Sequence, residues 1–449
     1  MQVASEQDSG GIKGRLLKGA TFETAGFGAA QAIRLVSNMA LTRLLLPEAF
    51  GLAALVLMVN QALVMFSDVG FEPALIQNKR GGEEKFLNTA WTLQVVQGVF
   101  LTMLAILIAY PMAKFYGHPE LTLLISLGSV GLLARGFTSH ARISLRRKME
   151  VGKLVILELV VQAVSTAITI ALAYWLRSVW ALVFGLAIGA VGTAALSYRL
   201  PSDCRHRLVV DPEAKQAILK VGKWVFLSSI ATFLTFQGDR LFMGKVVGVT
   251  DLGIYSIAVL LSGAISGAVN RVIHGIVFPA LSAIKERGLD ELRRGYYRVR
   301  KGLDLTVMPT LGALCALGSL VVEVLYDDRY SSAGWMLQLL VLRAALSCML
   351  IPCDTCLFVV GQARILVFKG VATALWMMVT LPLGFHYYGI EGIVVASALA
   401  EIPVLLVLWP AFSAQRLFVW AYELRSFAFV LAGYCIGAVV EPLLRAVIL

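Results

Sequence analysis

The sequence predicts an all-α polytopic membrane protein, with two pseudo-symmetric six-helix bundles around a central cavity and one or two extra C-terminal helices. Three observations lead to this fold class: the apolar composition, the uneven distribution of basic residues, and a weak internal repeat. Of the 449 residues, 58% are hydrophobic and only 15% are charged, whereas soluble domains carry about 25% charged residues. A soluble enzyme, a collagen, a coiled coil and a disordered chain are therefore excluded.

Apolar runs bounded by charged residues, Gly and Pro divide the chain into thirteen predicted spans. Each run approaches or exceeds the roughly 20 residues that a helix needs to cross the hydrocarbon core, and in lipid a helix satisfies its own backbone N–H and C=O groups. In chain order, the spans are 18–44, 48–70, 88–110, 120–139, 154–175, 178–198, 216–243, 250–281, 302–326, 333–359, 365–387, 391–413 and 426–448.

Lys and Arg residues predict the orientation of these spans. The N-terminal segment and every second loop together hold 25 of the 39 basic residues, whereas the alternate loops hold five. Because basic loops stay in the cytoplasm, we expect the N-terminus and the long loops there. Lys13, Arg15 and Lys18 lead straight into the first span without the cleavage pattern of a signal peptide, so the first span is expected to act as the targeting signal.

The internal repeat relates the two halves of the chain. At an offset of 202 residues, Lys18 aligns with Lys220 and Arg43 with Lys245, and residues 71–75 resemble 277–281 at an offset of 206. Since six spans return the chain to its starting side, the repeat is parallel. The predicted domains are an N-terminal cytoplasmic segment, a first bundle, a cytoplasmic linker, a second bundle and an extra C-terminal helix, at 1–17, 18–198, 199–215, 216–413 and 414–449.

Several motifs resemble bacterial polysaccharide repeat-unit flippases, the Wzx-type exporters of the multidrug/oligosaccharidyl-lipid/polysaccharide superfamily. In the second half, they are GDRLFMGK at 238–245, Gly248, LGIYS at 252–256 and FPALS at 278–282. In the first half, they are LTRLL at 41–45, FG at 50–51, DVGF at 68–71 and ALIQ at 74–77. The resemblance extends from about residue 15 to residue 415.

The resemblance implies a V-shaped pair of bundles that moves an undecaprenyl-diphosphate-linked oligosaccharide to the periplasmic leaflet by alternating access. Family members have twelve or fourteen spans, so the thirteen predicted here depart from the pattern at the C-terminal end. The sequence does not indicate which sugar is carried.

Six basic residues lie within the predicted spans, where each costs roughly 3 kcal/mol to insert at a helix centre. They are Arg34, Arg135, Arg240, Arg271, Arg343 and Lys369. We predict that four of them, Arg34, Arg240, Arg271 and Arg343, line a cationic cavity that binds substrate, since the guanidinium fork suits phosphate. For Arg135 and Lys369, snorkelling to the cytoplasmic interface is the favoured interpretation. The alternative for all six is pairing with acids on neighbouring helices.

Four carboxylates in or near the spans, Glu23, Glu158, Asp239 and Glu401, are candidates for ion coupling or for ion pairs. Glu401 is the most central, and a salt bridge is its favoured role. Coupling to a proton or sodium gradient is a hypothesis that rests only on such carboxylates.

The remaining motifs favour structural roles. Cys353 and Cys356 have CxxC spacing but lie inside an apolar span without a companion pair, so helix packing is favoured over redox or metal chemistry. Gly263 and Gly267 form a small-xxx-small pair that predicts close helix contact. The basic segment 285–301 is expected to lie on anionic headgroups, and a sharper alternative is that it presents the diphosphate lipid to the cavity. We expect no metal and no cofactor, and the absence of a P-loop or nucleophile-elbow motif gives ATP hydrolysis and esterase chemistry no support.

The favoured function is therefore a secondary transporter in a bacterial inner membrane rather than an enzyme, serving lipopolysaccharide, capsule or exopolysaccharide synthesis. Its expected partners are the lipid-linked oligosaccharide, membrane lipids and other polysaccharide assembly proteins, but no nucleic acid. One alternative is an exporter of drugs or organic cations, in whose cavity carboxylates should dominate. Another is a membrane polysaccharide polymerase, which should carry a large periplasmic loop.

Overall fold

A computed structural model describes residues 2–67, 83–147, 150–201 and 206–448. Within these ranges all regular elements are helical, and nine helical stretches are long and apolar enough to cross a membrane. The prediction of an all-α polytopic membrane protein is therefore confirmed. The motif residues 68–71 and 74–77 and the repeat segment 71–75 lie outside the described residues.

The chain divides into two compact units, Met1–Phe233 and Leu234–Leu449. Eight helices of the described residues belong wholly to the N-terminal unit: α1 Gln2–Leu44, α2 Pro47–Phe66, α3 Glu84–Tyr116, α4 Leu121–Gly128, α5 Val130–Gly136, α6 Ala141–Arg147, α7 Val151–Leu176 and α8 Trp180–Ser197. Pro47 at the first turn starts α2, and Gly117, with φ of 79°, ends α3 in the left-handed conformation. The predicted span 120–139 is thus two short helices joined at the buried Ser129.

Small side chains and amide groups hold the N-terminal helices together. Gly98 of α3 faces Gly136 of α5 so closely that a Cβ added to Gly98 would lie 2.8 Å from the Gly136 Cα. Gln162 of α7 donates to the Ala30 carbonyl of α1 at 2.8 Å. Contacts of this kind are expected where apolar packing against lipid offers no preference for another helix.

The segment that follows the N-terminal helices is docked on α3 through its backbone. The amides of Arg207, Val209 and Asp211 donate to side-chain oxygens of Asn88, Thr92 and Thr89, at 3.0, 3.0 and 2.9 Å respectively. Extended chain has no internal partners for these amides, so the three α3 side chains replace them.

His206 anchors the start of this docked segment in an aromatic pocket. Its ring lies 4.1 Å from that of His140, 4.8 Å from that of Tyr198 and 5.2 Å from that of Trp91. Its Nε2 lies 2.9 Å from the Ser139 hydroxyl. Burial in this pocket lowers the pKa of His206 below its ordinary value of 6.5, because the protonated ring loses hydration there.

We expect acidification to release this docked segment. The docked state binds fewer protons than the released one, so docking is fully favoured above the ordinary histidine pKa of 6.5 and weakens as the pH falls below it. Hydrogen exchange of the amides of Arg207, Val209 and Asp211, corrected for intrinsic rates, should lose protection several-fold between about pH 7.5 and pH 5.5. The variant His206→Asn should lose this pH dependence, and His118→Asn, in the turn between α3 and α4, should keep it. Equal corrected protection at both pH values would contradict the expectation.

Helix α9, Pro212–Val246, leads from one unit into the other. The C-terminal unit then contains α10 Val249–Val272, a π-helical turn Ile273–Val277, α11 Phe278–Lys285, α12 Leu289–Leu325, a 3₁₀ turn Asp328–Tyr330, α13 Ala333–Val360, α14 Ala363–Ala398, α15 Ile402–Ala414 and α16 Trp420–Ile448. Of the basic segment 285–301, residues 289–301 form the start of α12 and are continuous with its apolar part. Its place on anionic headgroups stays a prediction. Its buried residues include Leu292, Tyr296 and Arg300, of which Tyr296 and Arg300 hydrogen-bond to Glu423 and Ser426 of α16.

Gly389 breaks α14 between the predicted spans 365–387 and 391–413. Its backbone angles, φ of 58° and ψ of −135°, suit glycine alone. On either side, Gly384 and Gly392 contact each other so closely that a Cβ on Gly384 would lie 2.5 Å from the Gly392 oxygen. The chain thereby makes a tight hairpin at Gly389, so the two predicted spans are separate helical segments on either side of it.

Candidate anion-binding site in the C-terminal unit

Arg343 forms the centre of a charged site within the C-terminal unit. It lies in the first half of α13, where its Nη1 is 3.8 Å from the Asp239 Oδ2 and its Nε is 3.8 Å from the Glu401 Oε1. Its Nη2 donates to the Thr235 carbonyl at 3.0 Å. Both ion pairs are long, and the Arg343 side chain is 17% exposed. The guanidinium is therefore held in place while some of its five N–H donors remain available to a ligand.

Asp239 is fixed on its side of the site by groups other than Arg343. The Tyr255 hydroxyl donates to Asp239 Oδ2 at 2.5 Å, and the Arg240 backbone N–H donates to Oδ1 at 2.8 Å. The carboxylate is 2% exposed and Tyr255 is fully buried. These two hydrogen bonds hold Asp239 in place, since a buried carboxylate is tolerated only when it is hydrogen-bonded.

Arg240 turns its side chain away from Asp239. Its Nη1 donates to the Gln237 Oε1 at 3.0 Å, and its Nε is buried without a hydrogen-bond partner in the described residues. Asp239 and Arg240, the adjacent charged residues of the GDR motif, thus hydrogen-bond to different side chains.

A third ion pair continues the charged series toward the other end of α13. Lys369 of α14 donates to the Asp354 Oδ2, and Glu401 interacts electrostatically with both residues. His274, in the π-helical turn, interacts with Asp354. Because Arg343 and Asp354 are eleven residues apart on one helix, the series extends over about 16 Å.

Of the other predicted site residues, Arg34, Glu23 and Glu158 belong to the N-terminal unit and Arg271 belongs to the C-terminal unit. Arg34 is exposed on α1 and Arg271 is exposed at the end of α10. Glu158 pairs with Arg142 at 2.5 Å in the N-terminal unit, and Glu23 is half-buried on α1. Of the eight predicted residues, the structure brings Asp239, Arg343 and Glu401 into one site. The involvement of the other five stays a prediction.

The sequence reasoning missed a wholly buried charge network between α12 and α16. Arg300 is 0% exposed, with its Nε 3.4 Å from Asp304 Oδ1 and its Nη2 3.1 Å from Glu423 Oε2. The Ser426 hydroxyl donates to Asp304 at 2.6 Å, and Tyr296 donates to Glu423 at 2.9 Å. Arg300 had been counted among the cytoplasmic loop residues. Its spacing of four from Asp304 within an amphipathic stretch is the signal that points to the pair.

The chain has relatives among polysaccharide transport proteins. It is 26% identical over 344 residues to the succinoglycan biosynthesis transport protein ExoT of Rhizobium meliloti, covering 74% of this chain and 65% of that protein. It is 22% identical to the lipopolysaccharide biosynthesis protein WzxC of Escherichia coli, covering 73% and 67%. The match thus spans about two thirds of each relative's length.

Solved structures share the fold at low sequence identity. The lipid II flippase MurJ in an inward closed conformation has a TM-score of 0.73 at 12% identity, covering 95% of this chain and all of that chain. An inward-facing multidrug resistance MATE family transporter of the MOP superfamily has a TM-score of 0.60 at 14% identity, covering 95% and 96%. These likenesses support the all-α polytopic membrane fold expected from the sequence.

A family profile settles membership. The profile described as "Polysaccharide biosynthesis protein" matches residues 40–334, about two thirds of the chain. The match includes the first-half motifs that follow residue 40 as well as the second-half motifs around Asp239 and Tyr255. The chain belongs to the polysaccharide biosynthesis protein family.

Proposed function

We propose that the protein is a secondary transporter that flips undecaprenyl-diphosphate-linked oligosaccharide repeat units across a bacterial inner membrane by alternating access. Family membership and the transport role printed in the name of one relative support this function. The proposal includes a cytoplasmic N-terminus, for which the distribution of basic residues is the support. Other polysaccharide assembly proteins are proposed as further partners, and a catalytic role is not part of the proposal.

The observation that carries the proposal is that Arg343 has N–H donors available to a ligand. A guanidinium with free N–H donors inside an apolar bundle is suited to an anionic group, and its planar fork matches phosphate oxygens. Arg34, Arg240 and Arg271 are proposed to contact the same cargo at other stages of transport. A cavity for cationic drugs would instead require a carboxylate available to the ligand. Asp239 is buried and already accepts a hydrogen bond on each oxygen, and Glu401 lies beside the Arg343 guanidinium.

Glu401 provides the proposed transporter with a means of releasing its substrate. Its Oε1 lies 3.8 Å from the Nε of Arg343, the guanidinium proposed to bind the phosphate, and its side chain is 14% exposed. A phosphate that binds Arg343 competes with this carboxylate, so protonation of Glu401 favours loading and its deprotonation favours release. Ion coupling through Glu401 is thus a proposal that rests on competition for one cation.

Replacing Arg343 by alanine is expected to reduce repeat-unit export roughly ten- to hundredfold, which corresponds to the loss of charged hydrogen bonds. Arg343→Lys should restore part of the activity, because it returns the charge without the fork. The measurement is surface polysaccharide and lipid-linked repeat units in cells that carry each variant at equal membrane levels. Glu401→Gln should retain transport but lose its response to collapse of the proton gradient.

Arg329→Ala is the matched control, because Arg329 lies in an exposed turn and pairs with Asp327 at 3.0 Å. It should export as the wild type does. Wild-type export by Arg343→Ala would contradict the role of the site. If cells that lack the protein accumulated no lipid-linked repeat units, the flippase proposal itself would fail.

A further inference from the structure

Five basic side chains line one pocket at the start of α12 and α16, away from Arg343. The pocket has a volume of about 660 Å³ and lies wholly within the C-terminal unit. The basic residues that line it are Arg293, Arg294, Arg298, Lys301 and Arg425. Such a density of positive charge in a concave surface favours an anionic ligand.

Three of these residues are already paired with acids. Arg293 lies 3.3 Å from Asp290, Arg294 lies 3.1 Å from Glu291, and Arg425 lies 3.0 Å from Asp304. In the described part of the chain, Arg298 and Lys301 have no acidic partner, and both are exposed. The pocket therefore carries an excess of two positive charges.

The walls of the pocket are fixed before any ligand binds. The Tyr297 hydroxyl accepts from the Val419 backbone N–H at 2.7 Å and donates to the Leu417 carbonyl at 3.2 Å. The Tyr297 ring lies 4.8 Å from that of Tyr422, over which the Arg425 guanidinium sits at 5.1 Å. A preformed wall lowers the entropic cost of binding.

The residues around the pocket have the pattern of a border between an apolar span and water. Beyond Lys301, α12 becomes apolar, and α16 becomes apolar beyond Arg425. Tyr422, which lines the pocket, and Trp420, next in the chain to the lining residue Val419, are 44% and 63% exposed. Exposed Trp and Tyr at the border of an apolar span mark the interface between membrane and water.

We propose that this pocket binds the phosphate of an anionic lipid headgroup in the leaflet at the basic end of α12. Arg298 and Lys301 supply the unpaired charge, and Tyr297 and Tyr422 pack beside the headgroup. The proposal is independent of the flippase function, because a lipid bound here touches none of the groups around Arg343.

Native mass spectrometry of the full chain in detergent tests the pocket directly. Added dioctanoyl phosphatidylglycerol is expected to bind at one site more tightly than dioctanoyl phosphatidylcholine. In the double variant Arg298→Gln/Lys301→Gln, affinity for phosphatidylglycerol should fall about thirtyfold, since each basic residue near an anionic surface contributes roughly fivefold. Both residues are exposed, so the variant should keep the wild-type thermal unfolding midpoint.

Lys114→Gln/Arg177→Gln removes two exposed charges from the N-terminal unit and is the control, which should bind as the wild type does. Equal binding of the two lipids, or undiminished binding by the pocket variant, would overturn the proposal.

Binding of soluble pyrophosphate tests whether the pocket instead takes a free phosphate. If it bound in an Arg298- and Lys301-dependent way while phosphatidylglycerol did not, the lipid assignment would be wrong. Loss of export in the Arg343 variants with unchanged lipid binding would separate this pocket from the transport site.

Discussion

Replacing Arg300 by methionine is expected to destabilise the C-terminal unit by roughly 3–5 kcal/mol, the usual cost of breaking a buried ion pair. Arg300 is fully buried and is shared by Asp304 and Glu423. Without it, Glu423 retains only neutral hydrogen-bond donors such as Tyr296, and a buried carboxylate is left uncompensated. The thermal unfolding midpoint of the purified protein in detergent should fall sharply, with a lower yield of folded protein.

Arg300 matters beyond its charge because its guanidinium connects three helices. It donates to the Ser426 hydroxyl at 3.1 and 2.9 Å on α16 and to the Met349 carbonyl on α13. Arg300→Lys keeps the charge but cannot reach both with one ammonium, so its unfolding midpoint should lie between those of the wild type and Arg300→Met.

The companion variant Arg300→Met/Glu423→Gln distinguishes the ion pair from simple loss of packing. If the uncompensated carboxylate causes the destabilisation, the double variant should be less destabilised than the sum of the two single variants. Arg298→Met, two residues earlier and exposed, is the matched control and should melt as the wild type does. A wild-type midpoint for Arg300→Met would contradict the structural role assigned to the network.

Burial of charge was the feature that the sequence described least well. Hydropathy placed the helices because each span is long and apolar, but it treats a basic residue near a span end as a loop residue. Arg300 lies just before the apolar run of α12, yet the helix continues through it and α16 covers it. That covering depends on a partner about 125 residues away, which no local pattern reveals.

Arg343 shows the reverse case, where the local pattern was informative. A basic residue ten positions into an apolar span requires polar surroundings, and the sequence indicated as much. The partners are Asp239 and Glu401 on other elements, and the distance of 3.8 Å to each is a tertiary property. The choice between a ligand site and an ion pair was left open because one-dimensional spacing carries no such distance.

Close helix contacts in the structure also lie at glycines other than the pair that the sequence predicts. The small-xxx-small pair predicted at Gly263 and Gly267 does not coincide with a tight contact at Gly263, where no described atom lies within 4 Å of an added Cβ. Tight glycine contacts in the C-terminal unit include those between α12 and α16. A Cβ on Gly312 would lie 2.0 Å from the Val430 oxygen, and one on Gly433 would lie 2.1 Å from the Pro309 oxygen. Spacing alone does not tell which face of a helix meets a neighbour.

Replacing Gly433 by leucine is accordingly expected to separate α16 from α12. The obstacle is backbone rather than a flexible side chain, so the cost should exceed the roughly 1–3 kcal/mol of ordinary overpacking. Gly437, one turn further on, would also lose its contact with Ala313 and Ala316. The unfolding midpoint should fall at least as far as in Arg300→Met.

The two interfaces share α12 and α16, which makes their coupling measurable. If Gly433→Leu moves the whole of α16, it also pulls Ser426 and Glu423 away from Arg300, so adding Arg300→Met should cost little more than Gly433→Leu alone. Gly263→Leu on α10, with no described atom within 4 Å of its added Cβ, is the matched control and should keep the wild-type midpoint. Full additivity of Gly433→Leu and Arg300→Met would instead mean that the glycine contact and the charge network hold α16 independently, because neither disturbance would then reach the other site.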